Sequence, residues 1–207
     1  MDSPKSPRHR WLDWLLAATI LLAGGIGFLL VTGDPVYWLR ENNPLSRFNE
    51  YDDLIAQAAH KNQVPPELVK AIIWQESRFG PDKVGLDGEY GLMQVTEIAS
   101  KDWVSAEKIS NFEPRDLFDP KTNIEAGTWY LGRALRRYRD QDDPHPFALA
   151  EYNAGRTRVN RWMNSGTNSA VAADELRQLI DFPSTRSYIE NIMARMEFYK
   201  RRGEFAP

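Results

Sequence analysis

The sequence predicts an all-α domain over residues 50–203, preceded by one transmembrane helix at 14–32. Three observations predict this. An uncharged apolar run lies near the N-terminus, apolar residues recur at three- and four-residue spacing through the remainder, and no alternating strand pattern of comparable length interrupts them. The 207 residues suffice for one well-packed core and a short targeting segment, but not for two ordinary domains, so one active site is expected.

Residues 1–13 carry Lys5, Arg8 and Arg10, and this positive flank predicts a cytoplasmic N-terminus. The uncharged run Trp14–Val31 spans roughly 27 Å as a helix, close to the thickness of a bilayer core. Trp11 and Trp14 at one end, with Tyr37 and Trp38 beyond the other, resemble interfacial aromatic belts. Val31-Thr32-Gly33 could satisfy a signal peptidase, but the apolar core is longer than such segments usually carry, which favours an uncleaved anchor. The expected location is therefore the inner membrane, single-pass, with the folded domain on the periplasmic side. Residues 33–49, with Pro35 and Pro44 and no helical period, read as a tether.

Helical stripes follow. Leu54, Ile55, Ala58 and Ala59 form the first; Leu68, Val69, Ile72 and Ile73 form the second, opened by Pro65-Pro66, where proline suits a helix start. The third follows Asp119-Pro120 and comprises Ile124, Gly127, Tyr130, Leu131, Ala134, Leu135 and Tyr138. The last is Tyr188, Ile189, Ile192, Met193, Met196 and Tyr199. Loops are expected at Gly80–Tyr90 and Asp140–Pro146.

Composition narrows the function. A net charge of −3 offers no broad basic surface, so nucleic acid is not an expected partner. Arg133, Arg136, Arg137 and Arg139 read as the solvated face of the third striped helix. There is no cysteine, which excludes disulfides, thiol catalysis and an N-terminal lipidated cysteine. His9, His60 and His145 are too scattered for a metal site and read as surface residues; no metal or cofactor is expected.

Glu76 continues the buried series Leu68 and Ile72 at four-residue spacing, near the end of its helix before Gly80-Pro81. Burial and the negative end of the helix dipole both disfavour its carboxylate, and an acid held neutral near pH 7 suits glycosidic cleavage. The plain alternative is a buried glutamate paired with Arg78. Gly91-Leu92-Met93-Gln94 combines close backbone approach with an amide that both donates and accepts, as an N-acetylated sugar requires; a loop entering a helix capped by Thr96 would look similar. Glu151-Tyr152-Asn153-Ala154-Gly155 places a phenol and an amide at a helix end, or is simply a glycine cap with a core tyrosine.

Together, Gln75-Glu76-Ser77, Gly91-Leu92-Met93-Gln94 fifteen residues after the glutamate, and Ala150–Gly155 resemble the catalytic domain of soluble-type lytic transglycosylases, of glycoside hydrolase family 23. Asn123-Ile124-Glu125-Ala126-Gly127 and Thr185-Arg186-Ser187-Tyr188-Ile189 extend the resemblance over about residues 50–200. It implies a lysozyme-like fold, Glu76 as the catalytic acid, and Gly91, Met93, Gln94, Tyr152, Asn153, Asp181 and Tyr188 as substrate-binding residues. It also implies cleavage of the MurNAc-GlcNAc β-1,4 bond of peptidoglycan with formation of 1,6-anhydro-MurNAc.

Three positions depart from the family pattern: Gly85 replaces a serine, Asp181 a glutamate, and Glu151 an alanine. Two other readings stand beside this one. A goose-type lysozyme-like hydrolase would need a water-activating carboxylate, Asp87 or Glu89. A noncatalytic peptidoglycan-binding scaffold of a cell-wall or secretion complex would need no acid at all.

Overall fold

Proline, acidic N-caps and left-handed C-caps punctuate the chain into short helices. The computed structural model describes residues 48–166 and 171–205. Among these residues, helix α1 is Asp52–Asn62 and α2 is Pro66–Ser77, with Pro66 in its first turn. A two-stranded antiparallel sheet follows, β1 at Glu89–Tyr90 paired with β2 at Val95–Thr96. Helix α3 is Glu97–Glu107, capped by Thr96, whose side chain accepts from the Ala99 amide at 3.2 Å. A 3₁₀ turn at Pro114–Phe118 leads to α4, Pro120–Arg137, where Asp119 accepts from the Thr122 amide at 2.8 Å.

The remaining helices are α5 (Pro144–Ala154), α6 (Arg156–Ser165), α7 (Ala173–Leu179) and α8 (Pro183–Arg202). Gly155, at φ +84°, separates α5 from α6 with no intervening loop.

The predicted stripes become the core. Ile55, Leu68, Val69, Ile72, Ile73, Ile124, Leu131, Ile189 and Ile192 are all fully buried, each contributing about 2 kcal/mol of apolar transfer relative to exposure. Helix α2 packs on α8, and α4 packs on both α1 and α5, while α5 also touches α8 and α6. This arrangement brings the C-terminal end of α2 beside α8 and α5. Lys70, buried on α2, bridges Asp52 at 2.8 Å and Glu204 at 2.6 Å, tying α1 and the residues after α8 to the same helix.

The structure departs from the sequence reading in several places. The domain is mostly helical, but the small sheet breaks the all-α expectation; its two-residue strands are too short to alternate visibly. Helix α5 begins inside the expected Asp140–Pro146 loop, because Asp143 caps it through the His145 amide at 3.0 Å. Helices α3, α6 and α7 were not marked by stripes, since each buries only two residues.

All four arginines assigned to a solvated face have partners, Arg139 only an exposed ion pair with Asp140 at 3.7 Å. Arg133 bridges Asp102 at 2.8 Å and lies over Trp129 and Tyr130, Arg136 donates to the Asn62 carbonyl, and Arg137 pairs with buried Glu151. The expected helix at 14–32 lies outside the described residues, as do residues 1–13 and most of the 33–49 tether. Among the described residues no helix is long and apolar enough to cross a membrane.

Candidate active site

Helix α2 ends at Ser77, where Arg78 and Phe79 both turn left-handed at φ +54° and +60°. Phe79 is fully buried, so its side chain pins this unfavourable turn and leaves Glu76 in the last helical turn. Arg78 lies over the Trp74 ring at 3.4 Å and donates to the Trp74 carbonyl, so the simple Glu76–Arg78 pairing is not what forms. Instead the Tyr188 hydroxyl, from α8, donates to Glu76 Oε1 at 2.6 Å.

The Glu76 carboxyl is pushed up to about 7. Burial is the main cause; the Tyr188 hydrogen bond and the Lys83 charge oppose it, and the Glu89 charge adds to it. Tyr188 and Tyr152 are both raised well above 10, first by burial and then by the charge of Glu76, so both remain protonated donors.

The turn from Gly91 to Gln94 is built on a buried asparagine. Asn123 Oδ1 accepts from the Met93 amide at 2.7 Å, and its Nδ2 donates to the Tyr90 and Leu117 carbonyls at 2.7 and 2.8 Å. Gly91 sits at φ +72°, and a Cβ there would fall 2.4 Å from Asn123 Nδ2 and 2.5 Å from the Leu117 carbonyl oxygen. Its bare face therefore meets protein. Met93 is fully buried, its sulfur filling the space left by Gly127, and it supports the cleft from beneath while its carbonyl accepts from the Tyr152 hydroxyl at 2.8 Å.

Gln94, at φ +48°, donates to the Lys83 and Gly91 carbonyls. Together with Thr96, Ala99, Gly127, Tyr130 and Tyr152 it lines a cavity of about 70 Å³. Tyr130 meets Tyr152 edge to face, with ring centroids 5.7 Å apart.

Of the sequence-predicted residues, Glu76, Tyr188, Tyr152, Met93 and Gln94 come together here. Gly91 and Met93 act through backbone and packing. Asn153 is exposed and accepts from the Thr185 hydroxyl at 2.7 Å, linking α5 to α8. Asp181 accepts from the Trp162 indole at 2.8 Å, a bond that ties it to α6 rather than to Glu76.

Three contributors carried no sequence signal of a role at the site. Lys83 donates to the Glu76 carbonyl from an aperiodic loop, Tyr130 was read only as part of a core stripe, and Asn123 was noted only within a motif. A roomier cavity of about 420 Å³, lined by Trp103, Phe112, Asp116 and Asp119 among others, lies elsewhere. Two of its acids already cap local turns, Asp116 through the Glu113 amide and Asp119 through the Thr122 amide, and the third, Glu125, faces Lys121 at 4.0 Å, so the Glu76 cleft is the better candidate.

Among the described residues no cluster of histidine and acidic side chains could hold a metal ion. One acid poised near neutrality can give a proton to a leaving oxygen and later accept one. Tyr188 holds that acid through its hydroxyl, and Tyr152 and Gln94 are anchored to backbone carbonyls of the neighbouring turn.

Comparisons with known proteins agree with this geometry. Residues 53–174 match the family described as Transglycosylase SLT domain. The soluble lytic murein transglycosylase of Escherichia coli strain K12 is 33% identical over 197 residues, covering 93% of this chain and 27% of the relative. Membrane-bound lytic murein transglycosylase F of Desulfosudis oleivorans is 36% identical over 149 residues, covering 69% of this chain and 31% of that protein. The crystal structure of the 70 kDa soluble lytic transglycosylase of Escherichia coli aligns with a TM-score of 0.68 at 30% identity, over 79% of this chain and 25% of that one. The chain thus spans about a quarter to a third of the length of these relatives. With the fold, the motif turn and the family match in agreement, this chain belongs to the transglycosylase SLT domain family.

Proposed function

We propose that the protein is a peptidoglycan lytic transglycosylase that cleaves the MurNAc-GlcNAc β-1,4 bond without consuming water. The observation that carries this reading is Glu76, one carboxyl held near pH 7 and fixed by Tyr188, within a domain whose named relatives are lytic murein transglycosylases. Glu76 gives its proton to the glycosidic oxygen as the bond from C1 breaks. The acetamido oxygen of MurNAc bonds to C1 in its place. The Glu76 carboxylate then takes the proton of the C6 hydroxyl, whose oxygen displaces the acetamido oxygen and closes the 1,6-anhydro ring. Every bond broken is replaced, and Glu76 ends protonated as it began.

Tyr152 and Gln94, whose donors are held by backbone carbonyls, orient the acetamido group through their oxygens, and preorganised polar groups of this kind lower the barrier most where water is excluded. Asn153 and Asp181 bind the strand farther from Glu76. The catalytic domain is assigned to residues 50–203, on a tether of 33–49 and an anchor of 14–32 that holds it at the periplasmic face of the inner membrane, with 1–13 in the cytoplasm. A named membrane-bound relative and the apolar run support that placement.

The test is Glu76→Gln, with products analysed from digestion in heavy-oxygen water. The variant should fold and bind glycan yet lose all but about 1% of turnover, because an amide keeps the shape but delivers no proton. Wild-type products should end in unlabelled 1,6-anhydro-MurNAc. Labelled reducing ends as the main product would make the enzyme a hydrolase instead.

A further inference from the structure

Three side-chain contacts follow one another along α8 at three-residue spacing. The Tyr188 hydroxyl donates to Glu76, the Thr185 hydroxyl donates to Asn153 Oδ1 at 2.7 Å, and Phe182, at the N-cap, lies under the Arg158 guanidinium, with Cζ 5.1 Å from the ring centroid. Six residues of helix rise about 9 Å, so this seam leads from the acid's partner to Arg158 in less than two turns.

Arg158, on α6, is held from two sides. Its Nη1 donates to the carbonyl of Ala154, the last residue of α5, at 3.1 Å, and its guanidinium lies over Phe182. The Phe182 ring meets Trp162 edge to face, with centroids 6.2 Å apart, and the Trp162 indole donates to Asp181 at 2.8 Å, so the acid beside Phe182 is already engaged. Among the described residues no carboxylate pairs with Arg158. Phe182 stays 40% exposed, Arg158 is exposed, and a Cβ added at Gly155 would meet nothing within 4 Å, so the space beside them is open. Helix α6 adds Arg156 and Arg161 and holds no acidic residue.

We propose that Arg158, seated on Phe182, is a specificity-determining residue that takes a carboxylate of the peptide stems carried by MurNAc along the strand. This deepens the reading of the site as a lytic transglycosylase and rests on it. A guanidinium with one N–H spent on Ala154 still offers Nη2 and Nε as a fork for two carboxylate oxygens, and the ring and carbonyl that hold it limit the freedom it loses on binding. The glycan itself presents hydroxyl and acetamido groups, which need no cation. The stem is the part of the strand that brings free carboxylates.

The experiment measures Kd for the full-length protein carrying Glu76→Gln, so that no strand is turned over. Three probes are compared: soluble strands with their stems, the same strands stripped of stems by an amidase, and strands whose stem carboxylates have been converted to amides. With Arg158 in place, stem-bearing strands should bind about fivefold more tightly than either of the others, the upper range for one exposed ion pair, and Arg158→Gln should bring that ratio below about twofold. Arg158→Lys keeps the charge without the fork and should fall between. A role in helix packing alone would shift the denaturation midpoint and leave the ratio where it was.

A ratio unmoved in Arg158→Gln would overturn the proposal. So would equal weakening of all three probes, which would make Arg158 a glycan contact. Should Arg158→Gln fail to fold, the amide-converted strands decide, since a preference that survives loss of the carboxylates overturns the proposal as well. Failure of every strand to bind would instead overturn the functional reading on which it rests.

Discussion

Tyr188 reaches Glu76 from 112 positions along the chain, and its hydroxyl donates a hydrogen bond that favours the Glu76 carboxylate. Removing that hydroxyl should have two separable effects. In Tyr188→Phe the carboxyl loses a donor to its charged form, so its proton is held more tightly and the alkaline limb of kcat/KM should move to higher pH. The acid also loses its fixed orientation, and kcat at about pH 6 should fall about tenfold, the scale of one hydrogen bond to a charged group. A rate profile over pH measures both, and a limb that moves downward would refute the assignment. The burial of Glu76 is legible in the sequence from its four-residue spacing to Leu68 and Ile72, whereas its candidacy as the acid comes from the resemblance of the motif set around it. Its partner's contact is not legible there, since nothing in either local pattern says that Tyr188 on α8 ends 2.6 Å from it.

At the scale of elements, the motif turn depends on a helix that follows it. Asn123, in the first turn of α4, is fully buried and satisfies one amide and two carbonyls of the Tyr90–Met93 and Leu117 backbone. Asn123→Ala would leave those groups buried without partners, each costing on the order of 1 kcal/mol or more. Denaturant unfolding should show a loss of about 3 kcal/mol, accompanied by a drop in activity as Gln94 and the Met93 carbonyl lose their register. An equally stable and active variant would mean that ordered water replaces the amide. Helices α1, α2, α4 and α8 were legible from period and proline position. Helix α3 is legible only at its Thr96 cap, and the sheet and the short helices α6 and α7 are not, because two-residue strands and helices burying two side chains carry too little periodicity to separate from loop.

For the whole molecule, the proposed anchor, the apolar run 14–32, leads to a prediction separate from the folded residues. The run matches a bilayer in length and lacks charge, so the intact protein should fractionate with the inner membrane and retain its N-terminal segment. Recovery of a soluble form beginning near Asp34 would show a cleaved signal peptide instead. The sequence by itself determined the mostly helical class, the order of the principal helices and, through its motif set, the family and Glu76 as the candidate acid. These depend on local spacing, residue type and caps, which act within a few residues. Only the tertiary structure decided which groups surround that acid: Tyr188 as donor to its carboxyl and Lys83 as donor to its carbonyl. It also decided that Met93 and Gly91 serve through packing. Those outcomes depend on where α2, α5 and α8 meet, and burial and charge at a site are properties of that meeting rather than of any segment.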